Sequence, residues 1–286
     1  MTTINQERLL AAYAIVQACR SFQARPLNEL SLFDAVASTN QMAWESIDQG
    51  TRKPVVMARS QTAGRGQWGR QWQSEPGGLY LSAGLELELP VEHAAQLTLS
   101  VAWGIATALR EIPPRLSGVT EGIPVQLKWL NDLVLHGRKL GGILTETRIQ
   151  QGQITRAVVG VGINWDNPVP ETGITLRSFL EQHDTPLIES LELLAAITLH
   201  GLLSGIHYHQ QHGIEPILEA YFALLAHRDR PVDVNGQAGA IVGVAPTGEL
   251  RVQLKSPQSP LGEWREPTTA TEILVKPGTI SLGYPL

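Results

Sequence analysis

Residues 125–165 read VQLKWLNDLVLHGRKLGGILTETRIQQGQITRAVVGVGINW, a succession of strands and tight turns. Val125, Leu127 and Trp129 alternate with Gln126 and Lys128, which sets Lys128 away from the apolar side. Asn131-Asp132 and His136-Gly137 mark turns around the short strand LVL, and RKLGGILTET returns. Gln150–Gln153 then turns the chain into RAVVGVGINW, an almost continuously apolar strand. This meander decides the class. Helix patterns flank it instead of alternating with its strands, so the order α, β, α, β-meander, α, α predicts an α+β fold and not a doubly wound one.

Upstream, the spacing of Leu9, Tyr13 and Val16 and of Ala12, Ile15 and Cys19 predicts a helical face over residues 4–20. Ser38, with Gln41 three residues on, has the form of a capping box, and Gly50 is the expected stop. A short strand is expected at Pro54–Ala58 and a longer one over residues 77–89. Val91–Ile112 reads as a long helix with Leu97, Val101, Ile105 and Leu109 aligned. Downstream, Pro168–Pro170 reads as loop, and helices are expected near Ile188–His207 and Glu215–His227. From Arg230 the chain turns rich in Val, Pro, Thr and Gly, with a hairpin signal at Asn235-Gly236 and a turn at Pro246–Gly248. The expected division is a larger domain at 1–229 and a small all-β domain at 230–286.

Composition narrows the function. With 286 residues, 43% of them hydrophobic, the chain has ample material for a core. A formal net charge of -5 offers no general attraction to nucleic acid. The single cysteine, Cys19, rules out an intramolecular disulfide and a cysteine-based zinc site and fits a reducing compartment. There is no run of 18 apolar residues, and MTTINQERLL lacks the plan of a secretory signal. The expectation is a cytoplasmic, soluble protein that does not engage membrane.

Chemistry concentrates in three places. AGRGQWGRQW at 63–72 holds three glycines, two arginines and two tryptophans, a composition poor for helix or strand. Gly64, Gly66 and Gly69 allow backbone N–H groups close to an anion, and Arg65 and Arg70 are forked donors for phosphate or carboxylate. It is neither a P-loop nor a dinucleotide fingerprint. Spacing alone leaves a binding loop and a basic surface turn equally open. The second place is the meander: Lys128, Asn131, Asp132 and Lys139 lie near Gly141-Gly142. Lys139 suits a phosphate as a point charge and Asp132 suits Mg²⁺, but an ordinary Asn-Asp hairpin explains the same residues. The third is GVGINW at 160–165, whose glycines imply a close approach by a neighbour or a ligand. Asn164 there carries the donor and acceptor an adenine edge needs. His207, His209 and His212 fall on different helical faces and do not read as a metal site. No G-x-S-x-G elbow supports a hydrolase.

Taken together, STN at 38–40, QTAGRGQWGRQW at 61–72, KWLND at 128–132, RKLGGIL at 138–144 and GVGINW at 160–165 resemble the biotin protein ligase family in order and separation, across roughly residues 30–170. The resemblance implies a class II synthetase-like mixed sheet with flanking helices and a small C-terminal SH3-like barrel. It also implies a two-step reaction: biotin attacks the α-phosphate of ATP to give biotinyl-5′-AMP, and a lysine of a carrier protein then attacks the acyl carbon. By resemblance, Ser38, Thr39, Asn40 and Gln61 belong with biotin. Gly64, Arg65, Gly66 and Gln67 form the loop over biotin and its adenylate. Lys139 meets the phosphate side, Gly142, Ile143 and Gly160 line the biotin pocket, and Lys139 and Arg65 are the catalytic pair. Trp72, Lys128, Asn131, Asp132, Ile163 and Asn164 belong with ATP.

ATP with Mg²⁺ is the implied cofactor, with no fixed protein metal site. The implied partner is the apo biotin carboxyl carrier protein of acetyl-CoA carboxylase. A monomer or weak homodimer is expected. Two positions depart from the family pattern: Leu130 replaces a usual proline, and Gln67 stands where many members carry arginine. Only 37 residues precede Ser38, fewer than the roughly 50 of a domain, so a ligase that does not bind DNA is expected. A lipoate or octanoate ligase or transferase of the same fold is the alternative, against which GRGxxGRxW and KWxND count.

Overall fold

The computed structural model describes residues 4–19, 27, 29–118, 120–183, 187–228, 230–255, 271–280 and 282–284. Three strands precede the meander: β1 (Leu30–Phe33), β2 (Val55–Ala58) and β3 (Leu79–Pro90). The meander itself forms β4 (Gln126–Lys128), β5 (Asp132–Leu135), β6 (Arg138–Gln150) and β7 (Gln153–Ile163). Together they make one sheet in the order β1-β2-β3-β7-β6-β5-β4, parallel between β1 and β2 and antiparallel elsewhere. The turns His136-Gly137 (φ 48° and 73°) and Gln151-Gly152 (φ 51° and 76°) adopt the left-handed backbone that two-residue hairpins require.

One face of this sheet is covered by α3 (Ala94–Ser117) and α5 (Leu191–His212). Their axes approach closely because Gly104, Gly201 and Gly205 face one another's backbones. A Cβ on Gly104 would fall 2.2 Å from Gly201 O. α5 is long and apolar enough to cross a membrane by composition, but it is a core helix, packed against α3 and α1 (Gln6–Ala18). The opposite face carries α2 (Thr39–Asp48), whose Ala43 packs on Val56 and Val158. Beyond α2 that face is left open. Along that face β3, β6 and β7 carry a strip of small residues, Ser82, Gly142, Gly160 and Gly162, among the larger Tyr80, Leu144 and Glu146.

Several expectations need correction. Ser38 is the N-cap of α2, but its side chain makes no capping bond, and Gln41 Nε2 donates to Glu45 Oε1, so the capping box does not form. α3 starts after a 3₁₀ turn at Val91–His93 and runs on through Pro113-Pro114 to a left-handed Gly118. The carbonyl of Leu109, which Pro113 cannot bond, accepts Ile123 N–H at 3.2 Å instead. α4 (Leu176–Gln182), capped by Thr175, is unexpected from the sequence, because seven residues are too few to show a helical period. Ile15 is 54% exposed, so only Leu9, Tyr13 and Val16 of α1 are buried. Cys19 is a half-buried C-cap and not a core residue.

The chain after α6 (Glu215–Ala223) forms a second, four-stranded antiparallel sheet from β8 (Pro231–Val234), β9 (Gln237–Val244), β10 (Leu250–Leu254) and β11 (Glu272–Val275). The SH3-like barrel expectation is met only as far as this sheet, and residues 256–270 lie outside the described residues. Trp129 Nε1 donates to Gly248 O at 2.8 Å and Gln96 Nε2 to Pro246 O at 3.1 Å. Val234, Ile241, Val244 and Val252 extend the same apolar core.

Candidate active site

The open sheet face beside α2 holds a cavity of about 410 Å³, within the usual size of small-molecule sites. Its floor is the strip of small residues on β3, β6 and β7, and the absent side chains admit larger ones from elsewhere. A Cβ on Gly160 would stand 2.2 Å from Asn40 Oδ1, and one on Gly162 would stand 2.5 Å from Trp72 Nε1. The glycines of GVGINW therefore admit Asn40 and Trp72 to the site.

At one end the polar groups are tied into a network. Thr39 N and Oγ1 both donate to Gln61 Oε1, at 2.8 and 3.1 Å, and Gln61 Nε2 donates to Ser74 Oγ. Ser82 Oγ donates to Asn40 Oδ1 at 2.7 Å and lies 2.8 Å from Thr39 Oγ1. Glu146 gathers three donors from three segments. Asn40 Nδ2 and Trp44 Nε1 each reach Oε2 at 3.1 Å, and an Arg65 guanidinium nitrogen lies 3.1 Å from Oε1.

The glycine-arginine segment is a small hairpin over the cavity. Gly66 N–H donates to Arg70 O and Trp72 N–H to Gly64 O, and the tip at Gln67–Gly69 is a 3₁₀ turn with Trp68 at φ 59°. For Gly66 this corrects the expectation of an amide free for an anion, since its N–H is spent within the loop.

At the other end stand two ammonium groups and one carboxylate. Lys139 Nζ lies 2.8 Å from Asp132 Oδ1 and 5.2 Å from the centre of the Trp72 ring. Lys128 Nζ is 3.7 Å from Asp132 Oδ2. Burial lowers the Lys128 pKa; Asp132 opposes the shift, while Lys139 and Arg70 add to it. Asn131 Nδ2 donates to Ile143 O at 2.8 Å, locking β5 to β6 beneath this cluster. Trp72 Nε1 is buried with no partner among the described residues.

Residues 32–164 match the Biotin/lipoate A/B protein ligase family. A biotin–[acetyl-CoA-carboxylase] ligase of Paracoccus denitrificans is 34% identical over 204 residues, 68% of this chain and 80% of that relative. This chain belongs to the biotin protein ligase family. The bifunctional ligase/repressor BirA of Bacillus subtilis is 28% identical over 232 residues, 77% of this chain. The chain spans 61–68% of the length of the bifunctional relatives it matches. A biotin protein ligase from Aquifex aeolicus, solved with biotin and ATP, has the same fold. Its TM-score is 0.59 at 21% identity, with 81% of this chain and 96% of that one covered.

The residues singled out from the sequence of this ligase-family chain mostly converge. Ser38, Thr39, Asn40, Gln61, Arg65, Gly66 and Gln67 line the cavity, as do Trp72, Lys128, Asn131, Asp132, Lys139, Gly142, Ile143 and Gly160. Gly64, Ile163 and Asn164 do not. Gly64 packs under Trp72 O, and Ile163 is fully buried in the core. Asn164 Nδ2 donates to Lys139 O, and its Oδ1 accepts from Asn167. Both ends of that amide are engaged, so it braces the Lys139 backbone.

Sequence reasoning missed Glu146, Ser82 and the C-terminal segment, of which Pro277, Gly278, Thr279, Ile280 and Leu282 line the cavity. Glu146 was recoverable, since it is the carboxylate in the strand RKLGGILTE. Nothing local marked the C-terminal segment, which reaches the site only through the tertiary fold.

Proposed function

We propose that this chain joins biotin to ATP, forming biotinyl-5′-AMP and releasing pyrophosphate, and then transfers the biotinyl group to a lysine of a biotin carboxyl carrier protein. The observation that carries this reading is one cavity with a hydrogen-bonded polar end, at Thr39, Asn40 and Gln61, and a cationic end, at Lys128 and Lys139 beside Trp72. A ureido head group suits the first end and a polyphosphate the second.

The chemistry brings a carboxylate against a phosphate, so its barrier is largely charge repulsion. Lys139 and Arg65 supply the opposing charge. Both are held by carboxylates, Asp132 and Glu146, which orient them and leave their remaining donors to the ligand. Mg²⁺, entering as MgATP, would supply further shielding of the phosphate charge. Among the described residues there is no group of three metal-ligating side chains, and Lys139 occupies Asp132 Oδ1. The hairpin at 63–72 covers the acyl phosphate and keeps out the water that would hydrolyse it. In the second step the carrier amine attacks the acyl carbon and AMP leaves. A cytoplasmic setting accords with this role.

The test is incubation with biotin, MgATP and the apo carrier domain, with lipoate replacing biotin in a parallel sample. Biotin on a single carrier lysine is the expected result, and transfer of lipoate alone would overturn the reading.

A further inference from the structure

The C-terminal segment crosses the cavity from the loop tip to the lysine cluster. Gly278 lies against the Trp68 ring, the Leu282 carbonyl accepts His227 Nε2–H at 2.7 Å, and Tyr284 ends against the cationic cluster. The Tyr284 hydroxyl donates to Asp132 Oδ2 at 2.6 Å, and its ring centre lies 4.4 Å from Lys128 Nζ. The cluster thus has two ammonium groups for one carboxylate. Lys139 takes Oδ1 at 2.8 Å, while the phenol takes Oδ2 and Lys128 is left 3.7 Å away, outside hydrogen-bonding distance.

We propose that Tyr284 is a positioning residue for the nucleotide: by occupying Asp132 Oδ2 it holds the Lys128 ammonium back to a loose 3.7 Å ion pair, so that this charge meets the incoming polyphosphate. The inference rests on the ATP-dependent reading of this cavity and adds a residue from the C-terminal part of the chain to it.

Three features support the assignment. Burial and the Asp132 carboxylate push the Tyr284 phenol far above its ordinary range, so it stays a protonated donor. The ring face provides Lys128 with a partner that does not neutralise it. His227 anchors the segment at Leu282, two residues before Tyr284, fixing where the ring falls. Without the hydroxyl, Lys128 is free to close on Asp132 Oδ2, and phosphate must then compete with a carboxylate for it. Asp132, Lys139, Arg70, Tyr284 and His227 are the charged or titratable groups around that ammonium.

The experiment compares wild type, Tyr284→Phe and Tyr284→Ala in the full chain. Calorimetry measures binding of α,β-methylene-ATP with Mg²⁺ and, separately, of biotin, while biotin-dependent pyrophosphate release is followed from pH 7 to 10. Tyr284→Phe should weaken nucleotide binding about 10-fold, the scale of one hydrogen bond to a charged group. It should leave biotin affinity and melting temperature unchanged and move the alkaline limb of activity upward, because Lys128 gains a carboxylate partner. Tyr284→Ala, which also loses the ring, should bind nucleotide more weakly still. Nucleotide affinity and alkaline limb both at wild-type values in Tyr284→Phe would overturn the proposal, as would equal weakening of biotin and nucleotide. A wild type that binds nucleotide but releases no pyrophosphate would instead refute the ligase reading and leave the Tyr284 assignment to stand or fall on the binding data.

Discussion

Replacing Gly160 with alanine sets a methyl group 2.2 Å from Asn40 Oδ1 and 3.0 Å from its Cγ, about 1 Å inside ordinary contact. The methyl has nowhere to go, because it projects from the middle of β7 between two paired strands. Asn40 cannot swing aside freely. It is 3% exposed, accepts from Ser82 at 2.7 Å and donates to Glu146 at 3.1 Å. Overpacking of this kind costs about 1–3 kcal/mol, and each hydrogen bond broken in the adjustment adds about 0.5–1.5 kcal/mol. The expected total is about 2–4 kcal/mol, or a fall of roughly 4–16 °C in melting temperature. Biotin should bind at least about 10-fold more weakly, since the displaced amide lies at the polar end of the cavity. Differential scanning calorimetry and biotin titration on Gly160→Ala, Asn40→Ala and the double variant measure both effects. Removing the Asn40 amide relieves the clash, so the double variant should be more stable than the sum of the single losses by about 1 kcal/mol or more. Additivity within about 0.5 kcal/mol, or a Gly160→Ala protein as stable as wild type, would refute this reasoning.

Lys139→Ala removes the ammonium proposed to meet the phosphate and should slow adenylation roughly 10- to 150-fold; circular dichroism should show folding little changed, because Asp132 keeps Tyr284 and Lys128. His227 carries a pKa lowered by burial, with repulsion from Lys128 and Arg230 adding to the shift and its bond to the Leu282 carbonyl opposing it. The unfolded chain therefore binds the proton more readily, so this stability is fully present above pH about 6.5 and falls as pH drops through the lowered value. Urea titrations between pH 7 and pH 5 should show that decline, flattened in His227→Gln. Gln67 offers a neutral amide where the family resemblance leads to the expectation of arginine, while Arg70 also lines the cavity. Arg70→Ala should release biotinyl-5′-AMP much faster than wild type and Gln67→Arg should change retention little, as read by the dissociation rate of the adenylate.

The meander was legible because its turns carry His-Gly and Gln-Gly pairs and its first strand alternates from Val125 to Trp129, both local signals. So was the membership of the cavity, since Lys128, Asp132, Lys139 and the loop at 63–72 are polar or glycine-rich where the surrounding chain is apolar. What escaped depended on distance. Asn164 looked like a ligand donor because its amide seemed free, and only the fold shows that Asn167 and the Lys139 carbonyl consume it. The Gly66 amide is spent by the hairpin, which closes it onto the Arg70 carbonyl. The prolines at 113 and 114 argued for a helix end, yet Ile123, packed alongside, takes the freed carbonyl. Tyr284 is separated from Asp132 by 152 positions, and no local pattern encodes that contact.

If this cavity makes an acyl-adenylate from biotin, as proposed, it needs no other protein to do so. Purified protein mixed with biotin and MgATP, with no carrier present, then denatured and resolved by mass spectrometry, tests it directly. Biotinyl-5′-AMP should appear in near-equal amount to the protein, absent when biotin is withheld and sharply reduced in Lys139→Ala. A folded protein that yields no biotinyl-5′-AMP, or that forms an adenylate from lipoate and none from biotin, would contradict it.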